Sequence, residues 1–231
     1  MKRNPIFFRI NFQMIPTLKL LPEEMEHLKS LRLEKEEKVI EIRDGYGSSC
    51  FYEVGFKKDT GNLVETKKNV VHDLNLQIAT ALPKSQKLDL ILQKGTEIGV
   101  SAFHLVTFLQ SDRKELNEER CQKIVSLASS QCRRHTLPAI FLYSSLKEYL
   151  EKCPNSFYLH PYTNSDITQN SDYTLIPVIG PEGGFREEEI NLFTEYKCPG
   201  YNLGDNIFRI ETAALYITSI AQYHKLRIKY D

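Results

Sequence analysis

The sequence lacks the patterns by which several classes of protein are recognised. Its six histidines are dispersed, with neither an HExxH motif nor paired ligand spacing, so we do not expect a metal enzyme. No apolar run approaches the roughly 20 residues that span a bilayer. No long apolar stretch follows the first five residues either. We therefore expect neither contact with a membrane nor a secretory signal.

Cysteines are few, and none forms a CxxC pair. Because their number is odd and their spacing irregular, the sequence favours reduced thiols in a cytoplasmic protein over a disulfide framework. Each is expected to be a small core or surface residue: Cys50, Cys121, Cys132, Cys153 and Cys198.

Neither sign of charge prevails in the composition, since 30 Lys+Arg stand against 30 Asp+Glu. This balance does not by itself indicate a nucleic-acid binder. The acidic excess lies in residues 151–231, whereas residues 1–72 and 73–150 are each mildly basic. A local basic face in the first two thirds is allowed but not demanded. With 231 residues, of which 41% are hydrophobic, the chain suits one large globular domain or two smaller ones.

The spacing of hydrophobic residues along the chain changes near residues 68–75. Before this point, short alternating runs are separated by turn signals such as Asp44–Gly47, and only Glu23–Leu33 has helical spacing. From Leu74 onward, strand-like and helical segments alternate, which is typical of a parallel sheet with helices on its faces. We predict a small β-barrel module over residues 1–72 and an α/β domain over residues 73–231.

Apolar spacing defines two helices of the second part. One opens at Ser85 and is expected to end at Gly99. Within it, Gly95 costs roughly 1 kcal/mol against Ala, which indicates either close helix packing or a functional role for the neighbouring Glu97. The other is predicted over Glu118–Arg134, and its inward face includes Cys121, Ile124, Val125, Ala128 and Cys132.

A glycine-rich turn follows the apolar run Leu175–Ile179 and leads into a helix. Gly183 and Gly184 permit positive φ and close approach of the backbone to a ligand. Such loops lie beyond the carboxyl ends of parallel strands, where α/β sheets bind ligands. The first helical turn, Glu187–Glu189, would repel phosphate. The pattern therefore favours a ligand without phosphates, or a turn that needs glycine for geometry alone.

A second segment, Leu203–Leu215, combines a turn with a helix that begins with small residues. Arg209 and Glu211 flank Ile210, so an irregular turn could bring both into one pocket; the alternative is a surface ion pair. Thr212 and Ala213 permit close approach of another helix or a flat ligand.

Taken together, these motifs resemble the RsmE family of bacterial ribosomal RNA methyltransferases, within the SPOUT superfamily. The similarity runs over nearly the whole chain, and the combination of Gly-Pro-Glu-Gly-Gly with Arg-x-Glu-Thr-Ala is its most specific part. The matching segments include Leu92–Val100, Ser111–Arg113, Gln122–Ile124, Gln131–Arg134, Leu137–Ile140, Leu159–Pro161, Ile179–Phe185, Leu203–Gly204 and Phe208–Ala213.

The resemblance implies a fold and an activity. It implies an N-terminal PUA-like barrel that grips RNA, and a SPOUT-type parallel sheet with a C-terminal trefoil knot, an exception to the rule against threaded chains. It also implies a homodimer that methylates N3 of a uridine in 16S ribosomal RNA of the small subunit, with S-adenosyl-L-methionine as cofactor. The implied cofactor-binding residues are Ile179, Gly180, Gly183, Gly184, Leu203, Gly204, Phe208, Thr212 and Ala213.

Three segments depart from the usual pattern of the family. Ile210 stands where a threonine is usual, so no hydroxyl is available there. Asp205–Asn206 stands where a basic residue is usual, and Ser130 replaces the commoner glutamate. These departures affect local contacts rather than the family assignment.

The hypothesis for the chemistry is a direct displacement, with N3 of the uracil attacking the methyl group, in which positioning supplies much of the rate. Arg209 is expected to stabilise negative charge on the carbonyl oxygens of the base, and Glu211 or Glu97 to orient Arg209 or accept the proton. Basic residues expected to contact RNA phosphates are Arg9, Arg32, Lys84, Arg113, Arg133 and Arg134.

Three alternatives remain at the level of the sequence. The protein could be a knotted methyltransferase that acts on transfer RNA, an inactive RNA-binding module, or an α/β enzyme for a different small ligand.

Overall fold

The chain divides into two compact units. The computed structural model describes residues 4–30, 37–55, 58–71, 74–111, 116–170 and 172–230. The first unit comprises Met1–His72 together with Ser126–Leu137, and the second comprises Asp73–Val125 together with Pro138–Asp231.

The first unit is built on a five-stranded sheet in the order β1-β3-β4-β5-β2. The β1 and β3 strands are parallel, and the other neighbouring pairs are antiparallel. The elements are β1 (Ile6–Phe8), β2 (Thr17–Lys19), α1 (Pro22–Ser30), β3 (Lys38–Arg43), β4 (Ser48–Val54) and β5 (Thr60–Lys68). Residues 31–33 of the predicted first helix lie outside the described part of the chain.

The predicted turn at Asp44–Gly47 joins β3 to β4. The Asp44 carboxylate accepts hydrogen bonds from the backbone N–H groups of Tyr46 and Ser48, at 2.7 and 3.0 Å. Gly45 and Gly47 have φ angles of 86° and 108°, which residues with a Cβ adopt at a cost. The sequence signal therefore located this hairpin correctly.

The second unit contains a six-stranded sheet in the order β11-β9-β10-β6-β7-β8, and every neighbouring pair is parallel. Helices connect the strands, so the predicted α/β class is confirmed. Its strands are β6 (Gln77–Ala81), β7 (Ala102–Val106), β8 (Ala139–Tyr143), β9 (Ser156–Leu159), β10 (Ile176–Ile179) and β11 (Gly200–Tyr201). Four helices of this unit are α2 (Ser85–Ile98), α4 (Leu146–Lys152), α5 (Glu187–Glu195) and α6 (Ile210–Tyr230). Helix α3 (Glu118–Gln131) begins in the second unit, and its residues from Ser126 onward belong to the first.

Helix α2 ends where the sequence predicts. Gly99 has a φ of 116°, and its N–H reaches the carbonyl groups of Gly95 and Thr96, which closes the helix with a left-handed cap. Gly95 lies against Phe103: a Cβ there would be 2.8 Å from a ring carbon. The cost of this mid-helix glycine is therefore explained by close packing on β7.

The prediction for the end of α3 is wrong. Cys121, Val125 and Ala128 are buried as expected, but Cys132 is exposed. The helix ends at Gln131, and Arg133 has a left-handed φ of 63°, so Cys132 lies beyond the last helical turn and no longer follows the inward stripe.

Candidate functional site

A cavity of about 610 Å³ lies in the second unit, at the carboxyl ends of three adjacent parallel strands. Leu159 of β9 pairs with both Ile179 of β10 and Tyr201 of β11, so the loops that follow these strands start at one edge of the sheet. This edge is where open α/β sheets bind ligands. The lining residues are Lys87, Leu159, His160, Pro161, Ile179, Gly180, Pro181, Glu182, Gly184, Phe185, Leu203, Asn206, Ile207, Phe208, Arg209, Ile210 and Ala213.

The glycine-rich loop after β10 needs its glycines for different reasons. A Cβ at Gly180 would lie 2.7 Å from the Phe185 ring, so the close approach of these two residues excludes a side chain. Gly184 has a φ of 76° and no heavy atom within 4 Å of the Cβ position, so its requirement is conformational. The loop thus turns tightly and leaves open space beside Gly184 in the cavity.

A second loop, after β7, braces the glycine-rich loop. With the Gln110 amide turned so that its NH₂ faces the Gly183 carbonyl, it donates a hydrogen bond there. Its oxygen then accepts from the Arg186 guanidinium, at 2.6 and 2.9 Å. Both ends of the amide are therefore satisfied, and the glycine-rich loop is tied to the loop after β7.

Helix α5 uses its own carboxylate to satisfy its N-terminus. The buried Glu189 side chain accepts hydrogen bonds from the backbone N–H groups of Arg186 and Leu109, at 2.8 and 2.9 Å. The first of these bonds is half of a capping box. Since an anion already occupies this position, the site is poorly suited to phosphate, as the sequence predicts.

Charged side chains of the described residues lie in or beside the cavity. Arg209 is exposed and lines it, immediately before α6 begins at Ile210. Lys87, from the first turn of α2, forms an ion pair with Glu182 and lies 4.0 Å from the Glu211 carboxylate. Glu211 is 15% exposed. One of its oxygens, Oε2, is buried and accepts no hydrogen bond from the residues that the structure describes.

The structure brings most of the predicted cofactor residues together. Ile179, Gly180, Gly184, Leu203, Phe208 and Ala213 line the cavity, as does the predicted catalytic Arg209. Gly183, Gly204, Thr212 and Glu211 belong to the same segments but are not among the lining residues. Glu97, the alternative to Glu211, pairs with Lys94 at 2.9 Å and likewise does not line the cavity.

The predicted RNA contacts have different surroundings. Lys84 is exposed before α2, and Arg133 is exposed after α3, where Arg134 is half-buried. Arg9 is 17% exposed, and its guanidinium makes two bonds to the Glu24 carboxylate, at 2.6 and 2.8 Å, so it is engaged within the first unit. Arg32 and Arg113 lie outside the described residues.

Sequence reasoning assigned no role to several lining residues. Lys87 gives no signal of its own, because it reaches the cavity only through the packing of α2. Glu182 and Phe185 lie in the glycine-rich loop, and His160 lies in the Leu159–Pro161 segment. The sequence therefore indicated their positions but not their roles. His160 stacks against Phe185 at 6.1 Å, and burial lowers the pKa of its imidazole below the usual value.

Two kinds of feature are absent from the described part of the chain. It contains no group of three His, Cys, Asp or Glu side chains that could hold a metal ion. None of its helices is long and apolar enough to cross a membrane.

Comparison with known proteins gives consistent matches. Residues 71–222 match the model of the RNA methyltransferase domain family. The ribosomal RNA small subunit methyltransferase E of Bacillus subtilis is 30% identical, over 94% of this chain and 93% of the relative. The protein of the same name from Rickettsia conorii is 33% identical, over 79% and 78%.

Solved structures share the fold. A ribosomal RNA small subunit methyltransferase E from Neisseria gonorrhoeae, bound to S-adenosyl methionine, has a TM-score of 0.83 and 23% identity, covering 96% of this chain and 98% of its own. A methyltransferase from Legionella pneumophila has a TM-score of 0.82 and 21% identity, with the same coverage. The family match and the identities to the curated relatives together establish that the chain belongs to the RNA methyltransferase family that includes the ribosomal RNA small subunit methyltransferases E.

Proposed function

We propose that this protein transfers a methyl group from S-adenosyl-L-methionine to N3 of a uridine in 16S ribosomal RNA of the small subunit. The observation that carries the proposal is the convergence of the glycine-rich loop and the Arg209 turn on one cavity at the carboxyl edge of the parallel sheet. The names of the curated relatives, which are small-subunit ribosomal RNA methyltransferases, support the substrate class.

The residues of the cavity fit this cofactor. S-adenosylmethionine has no phosphate, and the start of α5 is already occupied by the Glu189 carboxylate. Apolar side chains such as Leu159, Leu203 and Phe208 offer a surface for a flat base, and the open space beside Gly184 admits close approach of the ligand. Two solved structures with the same fold were determined with S-adenosyl methionine bound, which supports the assignment.

The cofactor-binding set is the one that the resemblance implies: Ile179, Gly180, Gly183, Gly184, Leu203, Gly204, Phe208, Thr212 and Ala213. When bound, the cofactor supplies an electrophilic methyl group on a sulfonium. The contribution of this chain is to hold the base in line and to exclude water from the site.

Arg209 and Glu211 are the proposed catalytic residues. The N3 position of uracil lies between two carbonyl groups, so negative charge develops on their oxygens as the proton leaves. Arg209 is a cation at the cavity wall and would stabilise that charge. Glu211 follows two residues later, with one oxygen that accepts no hydrogen bond from described residues, and this oxygen is available to orient a donor or take up a proton.

We propose that the first unit and a set of basic residues take part in RNA recognition. We propose a PUA-like barrel over residues 1–72 and a SPOUT domain with a trefoil knot over residues 73–231. The proposed knot would belong to the part of the chain that forms the parallel sheet β11-β9-β10-β6-β7-β8. Proposed phosphate contacts are Arg9, Arg32, Lys84, Arg113, Arg133 and Arg134.

The protein is further proposed to act in the cytoplasm as a homodimer. The outer face of α6 carries exposed Tyr216 and Tyr223, 45% and 60% accessible, and Ile207 beside it is 69% accessible. Large exposed apolar groups on one helix are typical of a surface that a second copy covers. Sedimentation at several concentrations tests this part of the proposal, and a monomer throughout would contradict it.

The function is tested by transfer of labelled methyl groups from S-adenosylmethionine to three substrates: small subunits from a strain that lacks this protein, naked 16S ribosomal RNA, and transfer RNA. Transfer to the small-subunit substrates is expected. Methylation of transfer RNA alone would mean that transfer RNA, and not 16S ribosomal RNA, is the substrate. Failure to bind the cofactor in calorimetry would leave an RNA-binding module in place of an enzyme.

A further inference from the structure

The Lys87 ammonium lies between two carboxylates in the proposed active site. It forms an ion pair with Glu182, on the glycine-rich loop, and is 4.0 Å from Glu211, at the start of α6. The lysine itself comes from α2, so three separate segments of the second unit meet at this ammonium.

The two carboxylates are in different environments. Glu182 is 44% exposed, whereas Glu211 is 15% exposed. The Oε2 atom of Glu211 is buried and accepts no hydrogen bond from the described residues. A buried acceptor without a hydrogen bond is costly, and more so when it belongs to a charged group. Of the two carboxylates, Glu211 therefore gains more from full pairing with Lys87.

A ligand in the cavity changes which of the two carboxylates, Glu182 or Glu211, pairs more strongly with Lys87. Exposed ion pairs are weak, because solvent already satisfies both charges. A ligand whose ammonium or hydroxyl groups bind Glu182, which lines the cavity, competes with Lys87 for that carboxylate and leaves the lysine to pair with Glu211, which does not line the cavity. The lysine needs only to close the last part of a 4.0 Å separation to form a hydrogen bond with Glu211.

We propose that Lys87 is a positioning residue that leaves Glu182 and pairs with Glu211 when the cavity fills, so that the Glu211 carboxylate is held in place for the methyl transfer. The proposal rests on the proposed function, in which Glu211 is catalytic. It also releases the Glu182 carboxylate, which lines the cavity and can then accept hydrogen bonds from hydroxyl or ammonium groups of the ligand.

The kinetic test compares Lys87→Met and Lys87→Arg with Lys152→Met. Lys152 forms an ion pair with Glu148 on α4 and does not line the cavity, so it is a matched control. Lys87→Met is expected to lower kcat for small subunits by about tenfold or more, with KM for the RNA changed by less than about threefold. Lys87→Arg should restore most of kcat, and Lys152→Met should leave it unchanged.

A double-variant cycle separates positioning from a loss of structure. If Lys87 acts through Glu211, adding Lys87→Met to Glu211→Gln lowers kcat little further, because the two side chains work as one unit. Unchanged urea unfolding midpoints would establish that the variants fold. Independent, additive losses of kcat in the double variant would overturn the proposal.

A structural readout does not depend on turnover. A crystal structure with S-adenosylhomocysteine should place Lys87 Nζ about 2.8 Å from Glu211 Oε2, with the Glu182 pair broken. Lys87 still bound to Glu182, or a kcat of Lys87→Met equal to that of the wild type, would overturn the positioning role alone. A wild-type protein that methylates no RNA would overturn the proposed function, and the positioning role with it.

Discussion

His104, in the middle of β7, is a buried histidine whose hydrogen bonds determine its tautomer. The Gln77 amide donates through Nε2 to Asn75, so its oxygen faces His104 and can only accept, at 2.8 Å. His104 therefore carries its hydrogen on Nε2, and Nδ1 accepts from the Tyr143 hydroxyl at 2.9 Å. Burial lowers the pKa of His104 to about 4, so the ring is neutral in the folded protein.

This histidine predicts a pH dependence of stability. Because its folded pKa lies below the unfolded value of about 6.5, the unfolded chain binds the proton first, and stability falls as the pH drops through the interval between them. From pH 7 to pH 5 the free energy of unfolding should fall by about 2 kcal/mol through His104. Urea unfolding at both pH values measures this, and His104→Gln should remove most of it. The exposed His27→Gln is the control; an equal effect there would contradict the assignment.

Arg209 provides the residue-scale test of the chemistry. Arg209→Ala is expected to lower kcat by about 100-fold or more, because a cation aimed at developing charge acts mainly in the transition state. The dissociation constant of S-adenosylmethionine, measured by calorimetry, should change by less than about threefold. Equal activity, or a loss confined to cofactor binding, would remove Arg209 from the catalytic role.

The glycine-rich loop depends on the fit between Gly180 and an aromatic cluster. Phe185 packs against Phe108 and Phe193, with ring centroids 5.4 and 5.1 Å away, so the ring has little room to move. Since a Cβ at residue 180 would overlap this ring, Gly180→Ala should displace the loop and weaken cofactor binding by about tenfold or more. Calorimetry measures the affinity. Adding Phe185→Leu should recover part of it, and failure to do so would mean that the clash is not the cause.

In the first unit, the Arg43 side chain stabilises the turn after α3 through hydrogen bonds. Its guanidinium donates to the carbonyl groups of Arg133 and Arg134, at 2.9 and 2.5 Å, and to the Glu41 carboxylate at 2.7 Å. Burial alone would raise the pKa of Glu41, but hydrogen bonds from Arg43 and Ser49 outweigh it and lower the pKa. The proposed RNA-binding arginines at 133 and 134 are therefore held by a buried ion pair.

We expect that breaking the Arg43–Glu41 ion pair causes a large loss of stability. Arg43→Met would leave Glu41 charged in a buried site, and should lower the free energy of unfolding by roughly 3–5 kcal/mol. Lys67→Met removes an ion pair with Glu65 in which both side chains are half exposed, and should cost about 0–1 kcal/mol. Urea unfolding compares the two variants. Similar losses would mean that the Arg43 pair contributes no more than a surface one.

At the scale of the whole molecule, local sequence patterns predicted the individual helices, strands and turns better than the way in which these pack together. The hairpin at Asp44–Gly47 and the end of α2 at Gly99 follow from backbone requirements of single residues, so the sequence reveals them directly. The cavity depends on the strand order β11-β9-β10, which no local spacing contains. Lys87 was missed for the same reason, since only the packing of α2 brings it to the glycine-rich loop.

The error at the end of α3 also has a physical cause. Cys132 was expected inward because the helical period was extended past Gln131, where a left-handed residue ends it. The surroundings of Arg9 were equally hidden from local patterns, since its guanidinium binds Glu24, 15 residues away in the chain. Its proposed contact with RNA phosphates stays a prediction.

The most direct test of the whole account is the identity of the methylated nucleoside. Small subunits from a strain that lacks this protein would be incubated with it and S-adenosylmethionine, and the 16S ribosomal RNA digested and analysed by mass spectrometry. The proposed function predicts N3-methyluridine at a single site, absent from the Arg209→Ala reaction. Methylation of a ribose or of another base would contradict it, as would no methylation of 16S ribosomal RNA at all.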